Sequence, residues 1–151
     1  MPLRVSEAAL LAHAVRRAAQ RYRATILVAE DSDDSREMLQ ILLQSKGFSV
    51  VSAGDGLEAV DVALHELPDL ILIDLRLPGQ DGLSVTRELR LHPEFDSVAI
   101  IMISGYDCPR YRQAALNAGC NDYLMKPFDF GRLDQILAEM IPARFLHART
   151  A

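Results

Sequence analysis

Five polar side chains stand where apolar runs break off. Glu30 and Asp31 follow Thr25–Ala29, Asp74 follows Leu70–Ile73, Ser104 follows Val98–Ile103, and Lys126 comes just after Asn121–Leu124. Three carboxylates brought together without a cation would repel, and at least one pKa would rise. A hard divalent ion resolves that crowding. Magnesium takes oxygen ligands, keeps several waters and commonly uses one or two carboxylates beside a phosphate. A carboxylate so placed can attack phosphorus and form an acyl phosphate. Charge developing on the equatorial oxygens then needs partners, here the ion, the Lys126 ammonium and the Ser104 hydroxyl. No histidine lies at the end of a β-rich run, so the set is equipped for phosphoryl transfer and not for acid–base work.

Taken singly, each residue has a plainer role open to it. Glu30 and Asp31 could be capping acids of a loop, and Asp74 could cap the next turn. An isolated charge ending an apolar strand is costly, however, which favours a function for Asp74. Ser104 alone reads as a helix cap, and Tyr123 as half-buried packing at a strand end. Lys126 could be a solvated surface lysine. Yet the chain has fourteen arginines and only two lysines, and one of the two directly precedes Pro127. A compact ammonium on a flexible stem suits a transient phosphate partner. His13, His65, His92 and His147 are scattered and receive no role, and Cys108 and Cys120 read as packing residues.

For the five residues to meet, the elements must deliver them to one edge. Beyond residue 24, short β-rich runs alternate with helical stretches. Continuous apolar runs at Thr25–Ala29 and Leu70–Ile73 mark strands buried on both faces. Phe48–Ser52, Val98–Ile103 and about Asn121–Leu124 complete five strands. Helical spacing at Met38, Leu39, Ile41, Leu42 and Leu43 stops at Gly47, and a second helix runs from the Gly54–Gly56 turn to about Leu67. Two more cover Leu83–Leu91 and about Pro109–Ala118, the latter stopping at Gly119. The last is capped by Asp129, runs to about Ile141 and is stopped by Pro142. Five βα units in about 117 residues make a doubly wound α/β fold, a parallel sheet covered on both sides. Ligands of such sheets sit beyond the carboxyl ends of the strands, where strand order reverses. With order 2-1-3-4-5 the first and third strands are central neighbours, and the three carboxylates meet.

Composition narrows the class. At 151 residues with 50% apolar content the chain fits one domain with a real core. Net charge is −5 and unevenly spread. Residues 1–23 carry five arginines against Glu7 alone, which is +4, and the rest carries eleven basic and twenty acidic residues, which is −9. An acidic body is a poor match for nucleic acid, which is bound through clustered positive charge. Two cysteines are too few for a disulfide scaffold and read as reduced thiols. No apolar run approaches the roughly 18 residues that span a bilayer, and the start does not resemble a signal peptide. The expectation is a cytoplasmic protein that binds neither membrane nor nucleic acid.

The stretches ILVAEDS, LILIDLRLPGQDGL, IIMISG and NDYLMKPF, in this order, resemble the signature segments of bacterial response-regulator receiver domains. Asp31, Asp74, Ser104 and Lys126 are spaced 43, 30 and 22 residues apart, as in that family, and the resemblance covers about residues 25–141. It implies a flavodoxin-like fold and phosphorylation of Asp74 by a histidine kinase or a histidine phosphotransfer protein. It also implies Mg2+ held by Asp31 and Asp74, with Glu30 assisting through water and the backbone carbonyl of Arg76 completing the set. Ser104 and Tyr123 would form the switch, Ser104 moving to a phosphate oxygen and Tyr123 swinging into the space it leaves. A cis Lys126–Pro127 bond is also implied. Glu30 replaces the more frequent Asp, and Ser104 the frequent Thr. The residues two beyond Asp74 and two beyond Ser104, Arg76 and Tyr106, would flank the path of water and slow hydrolysis.

The expected organisation is a basic N-terminal helix within 1–24, a receiver domain at 25–141 and a tail at 142–151. The N-terminal helix, Ser6–Arg23, has a Ser6 cap and an apolar face of Leu10, Leu11, Ala14, Val15, Ala18 and Tyr22. It reads as packing back on the domain or as a dimerisation or docking helix. Because the sequence ends soon after the last helix, the expected role is a single-domain regulator. It would signal to a downstream protein and not act as an enzyme, with a phosphorelay intermediate as the alternative. The sequence leaves oligomeric state open, and the surfaces it offers a homodimer are the N-terminal helix and the face formed by the helix before the fifth strand, that strand and the last helix. A haloacid-dehalogenase-type hydrolase is disfavoured because Arg76, not a second Asp, stands two after Asp74. A flavodoxin is disfavoured because the first loop is acidic and lacks a phosphate cradle.

Overall fold

The computed structural model describes residues 4–19 and 23–141. The expectations for Tyr22, for the stop at Pro142 and for the tail at 142–151 lie outside the described residues. In chain order the elements are α1 (Glu7–Ala19), β1 (Thr25–Ala29), α2 (Asp33–Ser45), β2 (Ser49–Ala53), α3 (Gly56–Glu66) and β3 (Leu70–Asp74). They continue with α4 (Gly82–Leu89), a 3-10 turn at Pro93–Phe95, β4 (Ala99–Ser104), α5 (Pro109–Ala118), β5 (Asp122–Met125) and α6 (Phe130–Met140). The five strands form one parallel sheet in the order β2-β1-β3-β4-β5. This is the doubly wound, flavodoxin-like arrangement expected. Strand limits shift by about one residue from the sequence reading, and the 3-10 turn, which buries Phe95, was not anticipated.

Successive residues of a strand face opposite sides of a sheet, and the apolar runs divide on that rule. Leu27, Ile71, Ile73, Ile100 and Met102 meet α3, α4 and α5 on one face. Ile26, Val28, Leu70, Leu72, Ile101 and Ile103 meet α2 and α6 on the other. Every residue of β3 is buried, which only a strand covered on both faces allows.

Caps fix where the helices begin. Asp55, Asp81 and Asp129 accept from the amides of Glu58, Ser84 and Arg132 at 2.8, 2.8 and 3.1 Å, and Ser6 accepts from that of Ala9 at 3.0 Å. The caps expected at Ser6 and Asp129 are therefore present. Helix α5 ends at Gly119 in the left-handed region, φ 114°, which glycine adopts without steric cost. Helix α1 lies against α3. Val5 and Ala9 face the domain, while Leu10, Leu11 and Val15 stay exposed, Leu11 at 68% and Val15 at 60%. Both cysteines are free. No described helix is long and apolar enough to cross a membrane.

Candidate functional site

Strand register brings the predicted residues together. Ala29 pairs with Ile73, so Glu30 comes level with Asp74. Asp74 pairs with Ile103 and Ser104 with Met125, which sets Ser104 and Lys126 one step further along the same edge. Glu30, Asp74 and Ser104 are buried, and Asp31 is exposed at the mouth.

Lys126 joins the two buried acids. Its Nζ lies 2.5 Å from Asp74 Oδ2 and 2.8 Å from Glu30 Oε2. Asp74 Oδ1 accepts the Arg76 amide at 2.7 Å, and Glu30 Oε1 accepts that of Ser32 at 3.2 Å. Burial pushes the Glu30 carboxyl up to about 7. Lys126 opposes that shift, and neighbouring Asp74 adds to it. Burial lowers the pKa of Lys126, but its bonds to Asp74 and Glu30 outweigh burial and raise it. The rise at Glu30 comes first from burial, and Lys126 does not cancel it, so positive charge brought to this carboxyl would be favourable. Glu30, Asp31 and Asp74 each offer a carboxylate oxygen within 4.8 Å of the others. Glu30 Oε2 is buried and makes no aligned hydrogen bond, only the ion pair with Lys126. This all-oxygen, under-compensated donor set fits a hard divalent cation.

The β4–α5 loop closes the other side. Ser104 Oγ accepts the Tyr106 amide at 3.0 Å, and the Tyr123 hydroxyl donates to the Tyr106 carbonyl at 2.8 Å. Tyr123 is buried, with the Arg112 guanidinium over its ring at 4.9 Å. It already points inward, so an inward swing is not needed to bury it. It is linked to Ser104 by a side-chain hydrogen bond and through the backbone of Tyr106. The Arg76 guanidinium stacks 4.5 Å from the Tyr106 ring centroid, so the two residues expected to flank the site touch each other. The Lys126–Pro127 bond is cis.

Two contributors were missed in the sequence. Gly82 packs so closely behind Asp74 that a Cβ would stand 2.3 Å from the Asp74 carbonyl oxygen. Its signal was present in Pro78-Gly79-Gln80-Asp81-Gly82, a segment whose composition marks only a loop. Arg36 donates to the Glu30 carbonyl at 2.8 Å, and nothing in its neighbourhood of helix-start acids distinguished it.

Comparison with known proteins agrees with the fold and with the acid-lined edge. Residues 26–138 match the family model of the response regulator receiver domain. The chain is 40% identical over 115 residues to the response regulator MprA of Mycobacterium sp. (strain KMS), covering 76% of this chain and 48% of that protein. It thus spans about half the length of the curated relatives it matches. Among solved structures, the chemotaxis protein CheY4 of Vibrio cholerae superposes with TM-score 0.75 at 28% identity, over 79% of this chain and 99% of CheY4. The receiver domain of the sensor histidine kinase PA1611 from Pseudomonas aeruginosa PAO1 superposes with TM-score 0.73 at 37% identity, over 78% and 97% of the two chains. That structure holds a magnesium ion coordinated in its active-site cleft. The chain belongs to the response-regulator receiver family, whose members are regulatory phospho-accepting domains of two-component signalling.

Proposed function

We propose that Asp74 accepts a phosphoryl group from a phosphohistidine of a kinase or phosphotransfer protein, in a magnesium-dependent reaction, and that the modified chain signals to a partner protein. The observation that carries this reading is the setting of Asp74. It is a nearly buried carboxylate at the end of a central strand, held by the Arg76 amide and Lys126 and flanked by Glu30 and Asp31. One Asp74 oxygen forms the new O–P bond as the donor's P–N bond breaks, and the electron pair returns to the imidazole. Lys126 stands where it can leave its ion pair and follow the charge developing on the phosphoryl oxygens. Ser104 offers its hydroxyl proton to one of these oxygens while its Oγ can still accept the Tyr106 amide, so a move of Ser104 toward the phosphoryl group pulls on Tyr106.

Glu30, Asp31, Asp74 and the Arg76 carbonyl would hold the magnesium ion. When bound it supplies the charge that offsets the carboxylates and the incoming phosphoryl group. A move of Ser104 shifts, through its bond to the Tyr106 amide, the β4–α5 loop that Tyr123 holds from the other side. Ser104 and Tyr123 therefore carry the signal to the face formed by α5, β5 and α6, where a target protein docks.

Incubation with acetyl phosphate and Mg2+ should add one phosphoryl group by intact-mass measurement, and Asp74→Asn should add none. Equal labelling of that variant refutes the assignment.

A further inference from the structure

Arg36, in the first turn of α2, reaches back over the acidic loop before it. Its Nη1 donates to the Glu30 carbonyl at 2.8 Å, and its Nη2 pairs with Asp33 at 2.5 Å. The guanidinium lies along the α-carbon of Gly54, where a Cβ would stand 3.4 Å from Nη1. With this bond the polar groups of Glu30 are all engaged. Its amide bonds the Ala53 carbonyl at 3.0 Å, Oε1 accepts from Ser32 at 3.2 Å, Oε2 faces Lys126 at 2.8 Å, and Arg36 holds the carbonyl. Asp31 is the opposite case. Among the described residues its carboxylate makes no hydrogen bond or ion pair, so the backbone alone aims it. Because a peptide unit is planar, fixing the Glu30 carbonyl fixes the plane that joins Glu30 to Asp31. The Ser32 amide, bonded to Glu30 Oε1 at 3.2 Å, holds the next plane, and the two planes together set the direction in which the Asp31 side chain leaves the chain.

We propose that Arg36 is a positioning residue. By clamping the Glu30–Asp31 peptide plane it holds Asp31 toward Asp74 and raises divalent-cation affinity without touching the cation. The inference rests on the magnesium site proposed above. Its strength is that geometry and charge predict opposite signs. As a bare positive charge beside an acidic pocket, Arg36 repels a cation, so neutralising it would tighten binding. As a clamp, it aligns a ligand, so neutralising it weakens binding.

The test is calorimetric titration of Mg2+ into the full chain as parent, Arg36→Met and Arg36→Gln, with folding of each checked by circular dichroism. Removing a group that orients a metal ligand typically costs 10–100-fold in affinity, so about tenfold weaker binding is expected in the neutral variants. Either variant that folds decides the sign. Arg36→Lys, which keeps a donor of nearly the same reach, should recover most of the loss. In acetyl phosphate reactions the half-saturating Mg2+ concentration should rise while the rate at saturating Mg2+ stays at the parental value. Unchanged or tighter binding in a folded neutral variant, with a normal parent, overturns the role of Arg36 and leaves the proposed function standing. Absence of Mg2+ binding by the parent overturns both.

Discussion

Helices α1 and α2 are each thirteen residues long and both are amphipathic, yet only one covers the core. Helix α2 buries Leu39 and Leu43 completely, and its C-cap Lys46 pairs with Asp134 of α6 at 2.5 Å. Helix α1 buries Ala9 and leaves Leu10, Leu11 and Val15 to solvent. Connectivity makes the difference. Helix α2 is tied at both ends to strands that pair with each other, β1 with β2 from Thr25↔Ser49 to Ala29↔Ala53, so the sheet lies under its apolar face. Helix α1 instead lies against α3, itself one of the helices that cover the sheet. Amphipathic spacing says that a face gains by being covered, and the place of a helix in the fold decides which of the described residues meet it.

The sharpest way to break that contrast is to truncate one leucine in each helix. Leu43→Ala should cost about 2–5 kcal/mol, the range for a leucine removed from a packed core. Leu11→Ala should stay within about 0.5 kcal/mol, as exposed positions do. Urea denaturation reads both, and comparable losses would show that α1 is part of the core.

The next effect concerns the loop that α2 carries. Metal ligands must be deprotonated, and the Glu30 carboxyl sits near 7. Mg2+ affinity should therefore rise about tenfold between pH 6 and pH 8 for release of a single proton, and Glu30→Gln should flatten the curve. In the metal-free protein the sign reverses for folding. Glu30 holds its proton more tightly folded than unfolded, so stability present below about 4.5 is lost as pH rises through about 7. Replacing Leu11 and Val15 of α1 by serine should move neither curve.

The smallest expected effect is kinetic. An exposed cation–π contact is worth roughly 0.5–1 kcal/mol, or about two- to fivefold in a rate. Separating Arg76 from Tyr106 with Arg76→Asn and Tyr106→Ala should speed loss of phosphate from Asp74 by about that factor. Slower loss in the double variant, measured after removing the donor, would mean that the stack assists the attacking water. The α1 serine variant should match the parent here too.

Much of this was legible in the sequence for physical reasons. Strand β3 is apolar at each position from Leu70 to Ile73 because both faces are covered, and a short run without polar alternation marks that burial directly. Glu30, Asp31, Asp74 and Ser104 stood out because they follow such runs, and Lys126 because it is one of only two lysines and directly precedes Pro127. What stayed hidden depends on where long side chains reach. Arg90 donates to the Gly119 carbonyl at 2.9 Å and to Asn121 Oδ1 at 2.8 Å, across some thirty residues of chain. Arg36 looked like one more charge on a helix. The inward position of Tyr123 is held by the carbonyl of Tyr106 and the Ser104 side chain, and composition says nothing about a rotamer.

The pairing of Lys126 with two buried carboxylates also governs how this chain meets amine-directed reagents. With only two lysines in the sequence, acylation of side-chain amines has few targets. Lys126 is a poor one, because its raised pKa leaves little free base and its side chain is only 28% exposed. A cation that takes over Asp74 and Glu30 removes the partners that hold the proton. Reactivity of this single amine would then report occupancy of the pocket from the inside, with no label introduced.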